Sequence, residues 1–270
     1  MMPTGISLHV GLNSVDPKHY QGWDGQLNAC EADANDMTAL AKERGFQTTT
    51  LLTKKGTRAN VLAAISKAAK TLKSGDTFLW TYSGHGGQLP DKNGDEEDGL
   101  DETYCLFDGE LVDDETFAAL SAFAEGVRVL VLADCCHSGT STREAKLNAL
   151  LTPTVRFRAM PMAVAQRTYR ANQKFYDNIL DDKKLLDKAA ETKAAVILVS
   201  GCQDNQLSQD GAFNGAFTGA LLRVWNHGKF KGDFKRFHKQ ILAQMPAEQS
   251  PNLFTMGPAA DFLKQTPFQI

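Results

Sequence analysis

GVRVLVLADCCHSG, residues 126–139, sets a glycine before seven mostly aliphatic residues and follows them with an acid, two thiols, an imidazole and a hydroxyl. A continuous apolar run of that length, bounded by glycine and a polar cluster, reads as a strand covered on both faces, as in parallel sheets. Val127–Ala133 is the clearest of several such runs. Asp76–Tyr82 (DTFLWTY), Ala194–Ser200 (AAVILVS) and Ile6–Leu12 (ISLHVGL) are similar, and Phe46–Leu52 is a weaker one helped by its threonines.

Amphipathic stretches lie between these runs. Leu27–Glu43 reads as a helix that stops before Arg44 and Gly45, a suitable C-terminal signal. Thr57–Leu72 carries Val61, Leu62, Ile65 and Leu72 on one stripe. Asp113–Phe123 and Gly215–Trp225 are shorter candidates. Strand and helix in alternation predict βαβ crossovers and an α/β domain with a mostly parallel sheet and helices on both faces. Gly86–Gly109, dense in glycine and acids, and Ser141–Lys193, rich in basic residues, do not fit this rhythm; long irregular segments inside a domain are usually functional or flexible.

Composition narrows the function. The chain has 270 residues, with 29 Lys+Arg against 32 Asp+Glu and a net charge of −3. That balance lacks the basic excess expected of a nucleic-acid-binding chain. No apolar run approaches the ~20 residues of a membrane span. The N-terminus has no basic region followed by a long apolar run, so a secretory signal is not expected. The five cysteines, 30, 105, 135, 136 and 202, form no C-x-x-C pair. This favours free thiols in a reducing compartment, and a cytoplasmic location is the expectation.

Ligands of open α/β sheets bind beyond the carboxyl ends of the strands. Two of these ends stand out: DTFLWTY runs into Ser83, Gly84, His85, Gly86 and Gly87, and VRVLVLA into Asp134, Cys135, Cys136, His137, Ser138 and Gly139. If the strands are neighbours, an imidazole and a thiol face each other across one crevice. A cysteine nucleophile needs a histidine to form its thiolate and to protonate the leaving group. Glycines beside His85 admit a substrate backbone and can offer N–H donors to an oxyanion. Cys135 and Cys136 point to opposite sides if the strand continues, so one of them lines the site and the other is a small core residue. Zinc on His85, Cys135, Cys136 and His137 is a weaker reading, because adjacent thiols make awkward tetrahedral ligands.

YSGHGG (82–87) and DCCHSG (134–139) resemble the two signature motifs of metacaspases, the caspase-like cysteine peptidases of bacteria, plants, fungi and protists. LNACEADA (27–34), SGCQDNQ (200–206), FTGAL (217–221) and QSP (249–251) also resemble family segments, with Ala29 where a glycine is usual. The resemblance spans nearly the whole chain. It implies a caspase-like three-layer fold with a central sheet of about six strands and no long prodomain. It also implies one peptidase domain over residues 1–270, divided into a large-subunit-like region 1–140, a basic linker 141–193 and a small-subunit-like region 194–270. By the same resemblance His85 is the general base or acid and Cys136 the nucleophile, with the backbone N–H groups of Gly86 and Cys136 holding the oxyanion. Asp33, Ser83 and Asp134 match positions lining the specificity pocket. Paired carboxylates select a cation, so protein or peptide substrates cut after Arg or Lys are expected.

Many metacaspases need calcium, and Asp101, Asp113 and Asp114 resemble three of its ligands; at the position of the fourth stands Arg143. A cation there replaces an anionic ligand, which argues against a calcium requirement; calcium is expected at most as an activator, and the chemistry itself needs no cofactor. Residues 91–102 (DKNGDEEDGLDE) are not an EF-hand, since Glu96 occupies the place of the required glycine. The linker carries Arg143, Lys146, Arg156, Arg158, Arg167, Arg170, Lys174, Lys183, Lys184, Lys188 and Lys193. It reads either as a solvated, partly helical insertion or as a segment the enzyme cuts itself, at a bond the sequence does not select. A competing class is a scaffold that keeps the fold without turnover.

Overall fold

A computed structural model of the chain describes residues 3–92, 99–136, 156–202, 209–211, 213–246 and 249–270. Its centre is a six-stranded sheet in the order β11-β9-β7-β3-β1-β2. The strands are β1 (Gly5–Gly11), β2 (Gln47–Leu52), β3 (Thr77–Ser83), β7 (Arg128–Asp134), β9 (Ala195–Ser200) and β11 (Asn252–Met256). All pair in parallel except β11, which runs antiparallel to β9 at the sheet edge.

The continuous apolar runs are buried on both faces because their alternate residues enter two separate cores. Phe78, Trp80 and Tyr82 of β3 join Val129, Val131 and Ala133 of β7 on one face, under Val61 and Ile65 of α2 (Arg58–Thr71) and Leu120 of α3 (Asp113–Ser121). Leu79, Leu130, Leu132 and Ile197 point to the other face. There they meet Met37 and Leu40 of α1 (Cys30–Glu43) and Phe217 and Leu221 of helix 216–225. Each large apolar side chain so enclosed contributes about 1.5–3 kcal/mol.

The acidic stretch at 86–109 contains a second, antiparallel sheet of β4 (Gly86–Pro90), β5 (Leu100–Leu106) and β6 (Gly109–Val112). Within the basic linker, the described residues form a short β8 (Arg156–Phe157) and three helices, α4 (Met162–Ala171), α5 (Gln173–Leu180) and α6 (Lys183–Ala190). β8 pairs antiparallel with β10 (Gln209–Asp210). Helices α7 (Ala216–Trp225) and α8 (Phe234–Leu242), with short 3-10 turns at Thr53–Lys55 and Phe262–Lys264, complete the described elements. Among them, α8 and the edge strand β11 had no clear sequence signal.

Candidate active site

The register of β3 and β7 aligns the two motif ends, with Ser83 opposite Asp134. His85 and Cys136 each follow two residues later, beyond the carboxyl end of the sheet. The turn after β3 is fixed by the Tyr82 hydroxyl, which donates to the carbonyl oxygens of His85 (2.7 Å) and Cys105 (3.0 Å). His85 is buried, and its Nε2–H donates to the Gly25 carbonyl at 3.0 Å. This tautomer leaves the Nδ1 lone pair as the basic position, and Nδ1 has no hydrogen-bond partner among the described residues. Burial lowers the imidazole to about 4, against a smaller upward pull from its hydrogen bond to the Gly25 carbonyl. Trp23 packs on the ring with centroids 4.7 Å apart. Gly25 sits at φ +54°, and a Cβ there would come within 3.0 Å of His85 Cδ2. Neither Trp23 nor Gly25 was singled out from sequence.

Asp33, Ser83 and Asp134 converge from α1, β3 and β7 on one point, and that point is occupied by the guanidinium of Arg158. Nη2 of Arg158 lies 2.8 Å from Asp33 Oδ2 and 3.0 Å from Asp210 Oδ1. Nη1 lies 3.0 Å from Asp134 Oδ2 and donates to Ser83 Oγ at 2.8 Å. The scaffold holds the acids in place. Asp33 Oδ1 accepts from Gly215 N–H (3.1 Å), and Asp134 Oδ2 accepts from the N–H (2.9 Å) and hydroxyl (2.7 Å) of Thr218. Burial raises the Asp33 carboxyl above its ordinary value, Arg158 draws it down and Asp134 pushes it up again. Gly215 is the close wall of the pocket, where a Cβ would lie 2.5 Å from the guanidinium carbon and from Asp134 Oδ2. Arg158 is 0% exposed, so the solvated-insertion reading does not hold for this basic residue. An arginine is buried only where its charge is met, and nothing local to residues 141–193 announces acids supplied by three distant segments.

The main chain on either side of Arg158 lies extended through the crevice. Phe157 pairs with Gln209, and Arg156 with Asp210. The Arg158 carbonyl oxygen accepts hydrogen bonds from the backbone N–H of Gly86 (3.0 Å) and of Cys136 (3.1 Å), the two donors expected for an oxyanion. Ala159 bridges Gly86, and Met160 N–H donates to the Gly86 carbonyl at 2.7 Å. Met160 is buried with Val15, Tyr20, Cys105, Val164 and Ala165. A peptide unit with its carbonyl polarised by two N–H groups, its arginine neutralised by acids and an imidazole beside it is arranged as a substrate for acyl transfer.

The remaining candidates separate by position. Cys135 lies in the core beside Ala133, and burial raises its thiol, as it raises that of Cys30 to about 12. The Cys202 thiol donates to the Cys135 carbonyl at 3.3 Å; it is pushed up first by a hydrogen bond to the Cys136 thiol and then by burial. Asp101 stands on β5 opposite Leu89, and Asp113 and Asp114 open α3 directly after β6. Among the described residues, no group of three or more His, Cys, Asp or Glu is placed to hold a metal ion. His137, Ser138, Gly139, Arg143, Lys146 and the middle of the acidic loop, 93–98, lie outside the described residues. No described helix is long and apolar enough to cross a membrane.

Comparison with known proteins places the chain in a family. The family model for the caspase domain matches residues 15–267. Metacaspase-1 of Ajellomyces capsulatus is 32% identical over 247 residues, covering 80% of this chain and 68% of that protein. Metacaspase-1 of Kluyveromyces lactis is 30% identical over 251 residues, and the match covers 80% of this chain but only 56% of that relative's length. The crystal structure of protein GSU0716 from Geobacter sulfurreducens is 61% identical and covers 99% of both chains with a TM-score of 0.90. That of caspase-1 from Spodoptera frugiperda, 12% identical, covers 95% of this chain and 88% of the other with a TM-score of 0.58, a likeness of fold.

Proposed function

The chain belongs to the caspase-domain family, and from that premise we propose that it is a cysteine endopeptidase cutting proteins or peptides after arginine or lysine, with Cys136 as nucleophile and His85 as its acid–base partner. The observation that carries this reading is Arg158, whose side chain fills the acidic pocket while its carbonyl oxygen accepts from Gly86 and Cys136.

In this mechanism His85 Nδ1 takes the Cys136 proton and the sulfur attacks the carbonyl carbon. The oxygen gathers negative charge against the two N–H groups. The C–N bond breaks, the amine leaves with the proton from His85, and a thioester remains. Water, giving a proton to His85, then hydrolyses the thioester; the carboxylate departs and the thiol is restored.

The same chemistry makes the linker a substrate in cis, and its bond is Arg158–Ala159. Until that bond is cut the pocket is filled by the chain's own arginine, so the cut also opens the site. Its two sides are held unequally. Ala159 and Met160 are fastened to β4 and to a small apolar cluster. Arg156–Arg158 are held by two pairing residues and by the pocket itself.

Incubation of the purified protein with Arg, Lys and Asp peptides, with and without calcium, tests the reading. Turnover of the basic peptides alone is expected; no turnover, or turnover of the Asp peptide, contradicts it. The calcium arm addresses Asp101, Asp113 and Asp114, through which no step above passes.

A further inference from the structure

We infer that Asp210 is a third specificity carboxylate, and that it makes the pocket select arginine over lysine; this rests on the peptidase reading above. The two acids expected in the pocket, Asp33 and Asp134, engage different nitrogens of the Arg158 guanidinium, Nη2 and Nη1. Asp210 adds a second oxygen on Nη2 at 3.0 Å, from the opposite side of the chain in sequence. Three carboxylates thus meet one planar cation at its two terminal nitrogens, an arrangement that uses the fork of a guanidinium. A lysine ammonium ends at the position of the arginine Cζ, one bond short of these nitrogens. It cannot span all three acids without moving the scaffold or admitting water.

Asp210 is also held by contacts other than the arginine. Its Oδ2 accepts from Asn28 N–H at 2.7 Å, and its Oδ1 from Ala29 N–H at 3.3 Å. Ala29 is the N-cap of α1 and supplies no side-chain cap of its own, so the Asp210 carboxylate serves the positive end of the helix that carries Asp33. The backbone of Asp210 meanwhile pairs with Arg156, two residues before the scissile carbonyl. One residue therefore aligns the extended substrate strand and reads its arginine.

The test is kcat/KM for matched Arg and Lys peptides with the full-length wild type, Asp210→Asn and Asp210→Glu, with thermal melting as a check on folding. The wild type is expected to favour the Arg peptide by about tenfold or more, the worth of a charge-assisted hydrogen bond. Asp210→Asn is expected to bring the two rates together, mainly by raising KM for the Arg peptide, because the contact exists in ground and transition states alike. Asp210→Glu moves the acid outward by one methylene and is expected to lower the preference in part, which keeps the test valid if Asp210→Asn does not fold. Equal loss on both peptides would mean a purely structural role and overturns the inference, as does an unchanged ratio. A wild type that cuts both peptides equally overturns this inference alone; one that cuts neither overturns the peptidase reading as well.

Discussion

The carbonyl oxygen of Arg158 lies 3.1 Å from the backbone nitrogen of Cys136 and accepts its hydrogen bond. A residue from the basic linker thereby meets Cys136, two positions past the end of β7, with its carbonyl held by that backbone N–H. Ser83 opposite Asp134 shows how this is reached, since the parallel register sets the ends of the two motif strands side by side.

The roles of the two thiols are separable. Cys136→Ala and His85→Ala are each expected to abolish cleavage of an Arg peptide. Cys135→Ala, which removes a buried core thiol beside Ala133, is expected to cost some stability and keep most of the activity. Equal loss in Cys135→Ala with the fold intact contradicts the assignment.

Arg158 neutralises buried acids. In a Cys136→Ala background, Arg158→Ala leaves Asp33, Asp134 and Asp210 facing one another and is expected to cost about 3–5 kcal/mol. Asp33 is already raised by burial, and losing Arg158 raises it further. A carboxyl whose folded value exceeds its unfolded one stabilises at low pH and loses that contribution as pH rises. The deficit should therefore grow from pH 4 to pH 8 in thermal melts; a deficit independent of pH contradicts the shared-charge account.

Burial holds His85 at about 4 in the closed chain, so its imidazole is neutral and able to accept the Cys136 proton down to that range. The rate of self-cleavage is expected to fall on the acid side near pH 4, well below the ordinary histidine value of 6.5. An acid limb near 6.5, measured by quenched time courses, would show that the ring is solvated before the cut.

Glu110 lies behind the site. It is fully buried and accepts from Thr103 Oγ1 at 2.7 Å through Oε2, while Oε1 has no hydrogen-bond partner among the described residues. Burial raises it from 4.5 to about 7. The protonated form is thus favoured by folding, so its contribution is present below pH 4.5 and lost as pH rises through 7. Glu110→Gln, which cannot ionise, is expected to raise the melting temperature at pH 8 by a few degrees and to change little at pH 5. The reverse ordering would mean that the carboxylate is stabilised in place.

Much of this fold is legible in the sequence because β3 and β7 are buried on both faces and therefore read as unbroken apolar runs. Their observed bounds differ from the expected ones by one residue. The sheet β4–β5–β6 is hidden by its glycines and acids, which have low strand propensity. The edge strand β11, NLFTM, is short and mixed in polarity. In the site, His85, Cys136, Gly86, Asp33, Ser83 and Asp134 lie in motifs at strand or helix ends, and the resemblance of those motifs to the family's singles them out. Arg158 and Asp210 could not be selected this way. Each is one charged residue among many, and each acquires its place only when segments more than 50 residues apart in sequence meet.

Intact-mass spectrometry of the purified wild type, beside Cys136→Ala, addresses the central claim directly. The account predicts fragments 1–158 and 159–270 from the wild type and an uncut chain from Cys136→Ala. A wild-type chain that stays whole while turning over Arg peptides, or one cut first at another linker residue, would contradict it.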